Sequence, residues 1–429
     1  NGRCIYACSA NRIADDLLCQ RETIYRCGRE RRRLRRRANR VPSTMIVGIT
    51  KETFPGERRV SLVPTVLPSL TEASIDVLVE SAAGQSAGFP DEAYVEKGAR
   101  IATSRAQVFA EAEIVLQVRT PGAGGESGQE DLSLLKQDQT LIGFSEPLAE
   151  PAIALKVAER HVTVFSMELI PRITRAQSMD ALSSMATIAG YKAALLAADK
   201  LPRLFPMMMT AAGTITPARV FVVGAGVAGL QAIASCRRLG ARVEAYDVRP
   251  AVKEQVESLG AKFAELPLEA DGTEDAGGYA KAQDERFYER QRQMMARVVA
   301  NNDVVITTAL IPGKIAPVLV TAEMVSGMTP GSVIVDLAAE RGGNCELTKG
   351  DQIVVSQNDV TILGPTNLPS SVPLHASQMY AKNISALLLH LVNDGSLVID
   401  LEDEITSATL ISRGGQIVHP RVKESLDTN

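Results

Sequence analysis

The sequence predicts an α/β protein of two doubly wound domains, and three observations predict it. From residue 45 onward, short apolar runs alternate with stretches of helical periodicity, the pattern of a largely parallel sheet crossed by helices. A second series of short, β-branched runs bounded by Gly or Pro extends from 219 to 363, as suits strands covered on both faces. At 218–250 one such run passes directly into a Gly-x-Gly-x-x-Gly turn, a helical stretch and a second apolar run ending at Asp247.

Residues 1–44 stand apart from that pattern. They hold 12 Arg, no Lys and 4 acidic residues, a net charge of +8 against −12 for the remainder. An arginine-rich arm of this kind suits nucleic-acid binding or targeting. Met45, however, opens a clean strand after "VPST", so the expectation is upstream translated sequence or a disordered leader. Cys4, Cys8, Cys19 and Cys27 all fall there, at spacings of 4, 11 and 8 that make no zinc pattern. Only Cys236 and Cys345 remain for the rest, a usage that fits a reducing, cytosolic compartment, and no metal site is expected.

The whole chain is 45% hydrophobic and 22% charged, an ordinary globular composition. Strands are expected at 45–50, 75–80, 114–118, 140–144 and 162–167, with helices at 63–73 and 150–160 between them. Residues 178–198 have helical spacing, with Ser178 able to cap the start, and the helix is long enough to bridge two domains. Further strands are expected at 219–223, 242–246, 262–266, 303–307, 332–336 and 360–363. A helix at 373–394 returns the chain toward the first domain, and the tail holds two strands joined by "RGGQ". The expected domains are therefore 45–177 plus 373–429, and 178–372. No apolar run reaches the ~18 residues of a membrane span, the longest candidate being 384–392. Direct membrane insertion is not expected, although docking on a membrane is compatible with this.

The glycine turn carries the first chemistry. Gly224 permits the tight turn, Gly226 lets backbone approach a pyrophosphate at the positive end of a helix, and Gly229 lets helix and strand pack closely. Asp247 lies 18 residues after Gly229, where an acid hydrogen-bonds the adenosine ribose. Strand, turn, helix, strand and acid together make a Rossmann-like dinucleotide site, with a packing turn as the plainer reading. The acid favours NAD over NADP, because a carboxylate repels a 2′-phosphate; Arg249 nearby tempers that preference.

The second stretch is "PRITRAQSMDALSSM" at 171–185. It reads either as a helix N-terminus with a charged lead-in or as a polar site. In the second reading Arg172, Gln177, Asp180 and Ser183 converge on something polar, with Asp180 and Ser183 on one helix face. It contains no His, Lys or Cys to move a proton.

These stretches, with "ERRVSLVP" (57–64), "GGYAK" (277–281), "TTALIPGK" (307–314), "SVIVDLAAERGGNC" (332–345) and "LEDEITSATLISRGGQIVHP" (401–420), carry a resemblance over about 45–420. The chain resembles the NAD(H)-binding alpha-1 components of proton-translocating NAD(P) transhydrogenases, in the alanine dehydrogenase/transhydrogenase family. The resemblance implies two Rossmann-like domains with a nucleotide cleft between them. It implies that Arg172, Ile173, Thr174, Gln177, Asp180 and Ser183 hold the nicotinamide end of NAD(H), and that Gln177 reaches toward NADP(H) carried by a partner subunit. It assigns the pyrophosphate to Gly224, Ala225, Gly226, Val227 and Gly229, and the adenosine ribose to Asp247, Val248 and Arg249. Gly278 and Tyr279 match a mobile loop that closes over nucleotide, and Gln291 and Leu310 match further contacts.

The implied reaction is direct hydride transfer, with Arg172, Gln177, Asp180 and Ser183 as its catalytic residues, coupled to proton translocation in membrane partners. That reaction needs no acid–base residue, because one nicotinamide reduces another. The implied partners are an NADP(H)-binding subunit, a membrane-embedded subunit and a second copy of the chain, at the cytoplasmic face of a membrane; nucleic acid is not among them.

Alanine dehydrogenase is the competing reading. Its pattern places a lysine where this chain has Arg119 and a histidine where it has Pro147, while Arg59 is common to both patterns. Arg119 can bind a carboxylate but cannot shuttle protons near neutral pH. His161, His375, His390 and His419 lie elsewhere and are expected to be structural. A non-catalytic NAD(H)-binding regulator is the third reading. Three minor expectations complete the set: a packed hairpin or dimer contact at 206–217, exchanged between two copies if the resemblance holds, a solvated loop at 122–131, and a buried Cys345.

Overall fold

The computed structural model describes residues 44–265, 285–310 and 313–428; the arginine-rich leader and Gly278 and Tyr279 lie outside the described residues. Six runs form β1 (Met45–Ile49), β2 (Ile75–Glu80), β3 (Arg100–Ala102), β4 (Ile114–Arg119), β5 (Thr140–Phe144) and β6 (Thr163–Ser166), all parallel where they pair. A hairpin of β7 (Met208–Thr210) and β8 (Gly213–Ile215) follows. Then come β9 (Arg219–Val223), β10 (Arg242–Tyr246), β11 (Lys262–Phe263), β12 (Val304–Thr307), β13 (Val333–Asp336), β14 (Ile353–Val355) and β15 (Thr361–Leu363). A small ribbon of β16 (Val392–Asn393) and β17 (Ser396–Leu397) precedes β18 (Leu410–Arg413) and β19 (Gln416–Ile417).

The first sheet is ordered β19-β18-β6-β5-β4-β1-β2-β3 and the second β11-β10-β9-β12-β13-β15-β14. Within each series the order begins third, second, first, fourth, fifth, which is double winding repeated. Double winding leaves a crevice where the strand order reverses, here between β1 and β4 and between β9 and β12. The core strands are apolar because both faces are covered: β6, β12 and β13 are buried at every residue.

The 178–198 expectation resolves into two pieces. A 3-10 helix spans Thr174–Met179, and an α-helix spans Ala181–Lys200. Ser178 is not the cap. Asp180 is, accepting from the Ser183 amide at 2.8 Å. Ser178 sits inside the 3-10 turn, so its hydroxyl cannot occupy the N-cap position. The α-helix is the one described helix long and apolar enough to cross a membrane by length and composition. Its apolarity serves two cores instead. Ala181, Met185 and Ile188 join the core of the first sheet, and Ala193, Ala194 and Ala197 join that of the second.

Other departures are local. β3 and β14 are absent from the sequence reading because three residues carry too little periodicity to register. Residues 122–131 are not a solvated loop: they include a short helix at Gly125–Gln129, and Asp131 is buried against Arg105 with both carboxylate oxygens at 2.5 Å. The hairpin at 206–217 exists but is not packed, since all six strand residues are exposed. The tail strands do meet across Gly414 and Gly415, and β18 pairs antiparallel with β6.

Candidate nucleotide-binding site

β9 leads straight into the glycine turn. Gly224 has φ +93°, and a Cβ there would lie 2.6 Å from Thr308 Oγ1. Thr308 belongs to the segment following β12, and its hydroxyl donates to the Gly224 carbonyl at 3.0 Å. The turn is thus fastened across the crevice between β9 and β12. A Cβ on Gly229 would lie 1.8 Å from the Gly224 carbonyl oxygen, so only glycine lets the helix Val227–Arg238 sit this close to the strand.

Gly226 differs from both. The nearest atom to a Cβ there is Arg249 Nη2 at 4.0 Å, so that side of the turn opens into space. Gly226 is the N-cap of Val227–Arg238, and no side chain caps the helix. An open backbone at a helix N-terminus beside a guanidinium fits a phosphate group.

Asp247 follows β10 and is buried. Its carboxylate accepts from the Ala225 amide at 2.7 Å, the Arg249 amide at 2.9 Å, and Arg249 Nε and Nη2, both at 2.9 Å. The Ala225 amide is therefore committed to Asp247 rather than presented to a phosphate, and the open part of the turn is at Gly226 and Val227. Asp247 links the first strand's turn to the second strand's end, where an adenosine ribose would lie. Val248 is half-buried, and Val227 and Leu310 are exposed near 40%, which leaves apolar surface around the turn. Gln291 lies on the helix Glu285–Ala300.

The polar turn reaches this site through the bridging helix. A Cβ on Gly190 would lie 2.1 Å from the Ala228 carbonyl oxygen, one residue past Val227. Seven residues of helix separate Ser183 from Gly190, a rise of about 10 Å. Asp180 and Ser183 thus stand about one dinucleotide half away from the glycine turn, on a rigid element. Asp180 Oδ2 accepts from Ser183 Oγ at 2.6 Å, so the two side chains are joined as well as neighbouring. Arg172, Thr174 and Gln177 are exposed on the turn before them, and Ile173 is half-buried.

Two domain models match the chain: "Alanine dehydrogenase/PNT, N-terminal domain" over residues 48–189 and "Alanine dehydrogenase/PNT, C-terminal domain" over 193–420. The chain belongs to the alanine dehydrogenase/PNT family. The junction of the two models flanks Gly190, the crossing point of the bridging helix. An NAD(P) transhydrogenase alpha subunit of Rhodospirillum rubrum, the first of the pieces into which that subunit is divided, is 48% identical over 379 residues, 88% of this chain and 98% of that protein. Alanine dehydrogenase of Bacillus subtilis is 28% identical over 89% of this chain and 95% of that protein. A transhydrogenase structure from Sinorhizobium meliloti superposes with TM-score 0.75 at 42% identity, covering 87% of this chain and 99% of that one. An L-alanine dehydrogenase structure gives 0.74 at 25% identity, covering 90% and 99%.

In this alanine dehydrogenase/PNT chain, the crevice of the first sheet is filled by its own side chains. Glu57, fully buried, accepts from Arg59 Nε at 2.7 Å and Nη2 at 2.6 Å, and from Arg119 Nε at 3.3 Å. Arg119 also pairs with Glu340 at 3.6 Å and lies 4.2 Å from the Phe54 ring centroid. Burial pushes the Glu57 carboxyl up, but the Arg59 and Arg119 guanidiniums outweigh it and hold it well below the usual carboxylate range. Pro147 is buried beside Glu146, which pairs with Arg341.

None of the four histidines faces either crevice's charged groups through a hydrogen bond among the described residues. His375 is exposed, His390 pairs with Asp403, His161 lies against Gly415, and His419 is buried. Cys345 is buried as expected, and burial pushes its thiol up to about 11.

The sequence reading missed three residues tied to the polar turn. Arg175 pairs with Asp403, and Asn383 donates to the Ser178 carbonyl. The only signal for Asp403 was its place in the specific tail block at 401–420.

Proposed function

We propose that this chain is the NAD(H)-binding subunit of a proton-translocating transhydrogenase. NAD(H) would lie with its pyrophosphate at Gly226 and Val227, its adenosine ribose at Asp247, and its nicotinamide at Arg172, Gln177, Asp180 and Ser183. Hydride would pass directly to or from NADP(H) on a partner subunit, with proton movement in membrane-embedded partners and this chain held at the cytoplasmic face, as a pair of copies.

The observation that carries the reading is the state of Arg119 and Pro147. A dehydrogenase acting on an amino acid must shuttle protons, yet Arg119 is consumed by Glu57 and Glu340 and Pro147 has no proton to give. Hydride exchange between two nicotinamide rings changes no oxygen's protonation, so guanidinium, amide, carboxylate and hydroxyl groups suffice. Their work is to fix ring geometry and exclude water.

The test is hydride transfer from NADH to an NAD analogue, with and without an NADP-binding transhydrogenase subunit plus NADP. Transfer is expected only with both present, and Gln177→Asn should slow it by about ten- to a hundredfold through misplacement of the acceptor. Oxidation of alanine with NAD by the lone chain would overturn the reading in favour of an alanine dehydrogenase.

A further inference from the structure

The polar turn is gripped from the far end of the chain. Over Thr174–Met179 the backbone is a 3-10 helix, with three residues per turn, so side chains three apart share an edge. One edge carries Ile173, Ala176 and Met179 and packs on the core of the first sheet. The second carries Thr174, Gln177 and Asp180. The third carries Arg175 and Ser178.

That third edge is where the C-terminal segment holds on. Arg175 Nη1 donates to Asp403 Oδ1 at 2.6 Å. Asn383 Nδ2, on the helix Pro373–Leu391, donates to the Ser178 carbonyl at 2.8 Å. Asp403 is itself fixed from other directions. Its Oδ2 meets His390 Nε2 at 2.8 Å and accepts from the Thr406 amide at 2.8 Å and the Thr406 hydroxyl at 2.9 Å. An N-cap for the helix Glu404–Thr409 needs only the Thr406 amide. The remaining donors make the carboxylate a rigid post. Burial pushes the Asp403 carboxyl up, but these donors outweigh it and hold it well below the usual range, so the post stays charged.

We propose that Asp403 is a positioning residue for the nicotinamide end of the site: through Arg175 it fixes the rotation of the 174–179 turn, and so the direction in which Gln177 and Asp180 point. The proposal rests on the reading of 172–183 as the nicotinamide-facing turn. Gln177 is exposed, and its aim therefore depends on the backbone that carries it. With one edge seated on the core, a second tether on the Arg175–Ser178 edge removes the remaining rocking freedom of a short helix.

The test compares Asp403→Asn, Arg175→Lys, Arg175→Ala and the double variant Asp403→Asn/Arg175→Ala in the full chain. Asparagine caps a helix as well as aspartate does, so Asp403→Asn should keep the wild-type Tm. Two readouts are taken: amide hydrogen exchange over 172–180, and NADH affinity from its own fluorescence. Asp403→Asn should speed exchange and weaken NADH each about two- to fivefold, the range of a half-exposed ion pair. Arg175→Lys should restore most of both, and the double variant should be no worse than either single one. Unchanged exchange, or faster exchange with unchanged NADH affinity, overturns the proposal. If wild-type chain binds NADH but transfers no hydride to the partner's nucleotide, the functional reading fails, while the exchange data still say whether Asp403 holds the turn.

Discussion

Glu57 is one carboxylate serving two buried guanidiniums, with Asn367 Nδ2 donating to it at 3.0 Å as well. Removing its charge strands both arginines in a place water does not reach. Glu57→Gln should therefore cost about 3–5 kcal/mol, measured by urea unfolding; a loss under about 1 kcal/mol would mean that Glu340 and Asn367 suffice. Because its folded pKa is lowered, Glu57 stabilises the fold above the ordinary carboxylate value and loses that contribution only in strong acid. At the second crevice, Asp247→Ala leaves Arg249 without the Asp247 carboxylate. NADH should then bind about tenfold more weakly, by loss of a charge-assisted hydrogen bond to the ribose, while NADPH should gain relative to it. Parallel fluorescence titrations check this, and an unchanged NADH-to-NADPH ratio contradicts the assigned role. The glycine turn was legible in the sequence because each glycine answers a local demand at a fixed spacing. The Ala225–Asp247 bond was not, since both partners also fit a ligand-facing role. Asp403 and Arg175 stand 228 residues apart, and no local rule joins them.

At the scale of elements, the bridging helix decides how the two halves of the site are spaced. Its N-terminal half belongs to one core and its C-terminal half to the other, and Gly190 lies between. Alanine at 190 would gain about 1 kcal/mol in helix propensity, but its methyl would meet the Ala228 carbonyl, which is backbone and cannot rotate away. The helices must separate instead, and Gly190→Ala should cost about 1–3 kcal/mol net and weaken NADH binding as well. A variant of wild-type affinity and higher Tm would show that the crossing is not tight. The helix itself was readable from its spacing, and its length suggested the bridge. Its start was misread because Ser178 and Asp180 are both good caps, and the choice falls to the 3-10 turn that precedes it. The 122–131 stretch misled for a related reason. Gly, Ser and acidic residues read as solvent-facing, and nothing nearby in sequence announces Arg105 as the partner that buries Asp131.

Across the whole molecule, buried carboxyls set the response to pH. Burial first, then Glu57, pushes Glu52 up to about 8; burial first, then Glu146, pushes Glu168 up to about 7. Their contributions are full below the ordinary value of 4.5 and are lost as pH rises through the folded values. His419, lowered by burial, acts in the opposite sense and loses stability as pH falls below 6.5. Between about pH 6.5 and 8 the two glutamates act without that opposition, so Tm should fall across this interval, by scanning calorimetry. A Tm that rises there would contradict the protonated state of Glu52.

The pairing of β18 with β6 has a consequence for how the chain is made. Ser166 leaves the ribosome long before Leu410, and at 5–20 residues per second the interval lasts roughly 10–50 s. Throughout that time β6 is an uncovered edge of an otherwise assembled parallel sheet, with its backbone donors and acceptors open to any passing strand. The second sheet, whose strands all lie between Arg219 and Leu363, closes its hydrogen bonds without waiting for the tail. The nascent first half is thus the part exposed to misassembly, and the last turn of synthesis is what seals it.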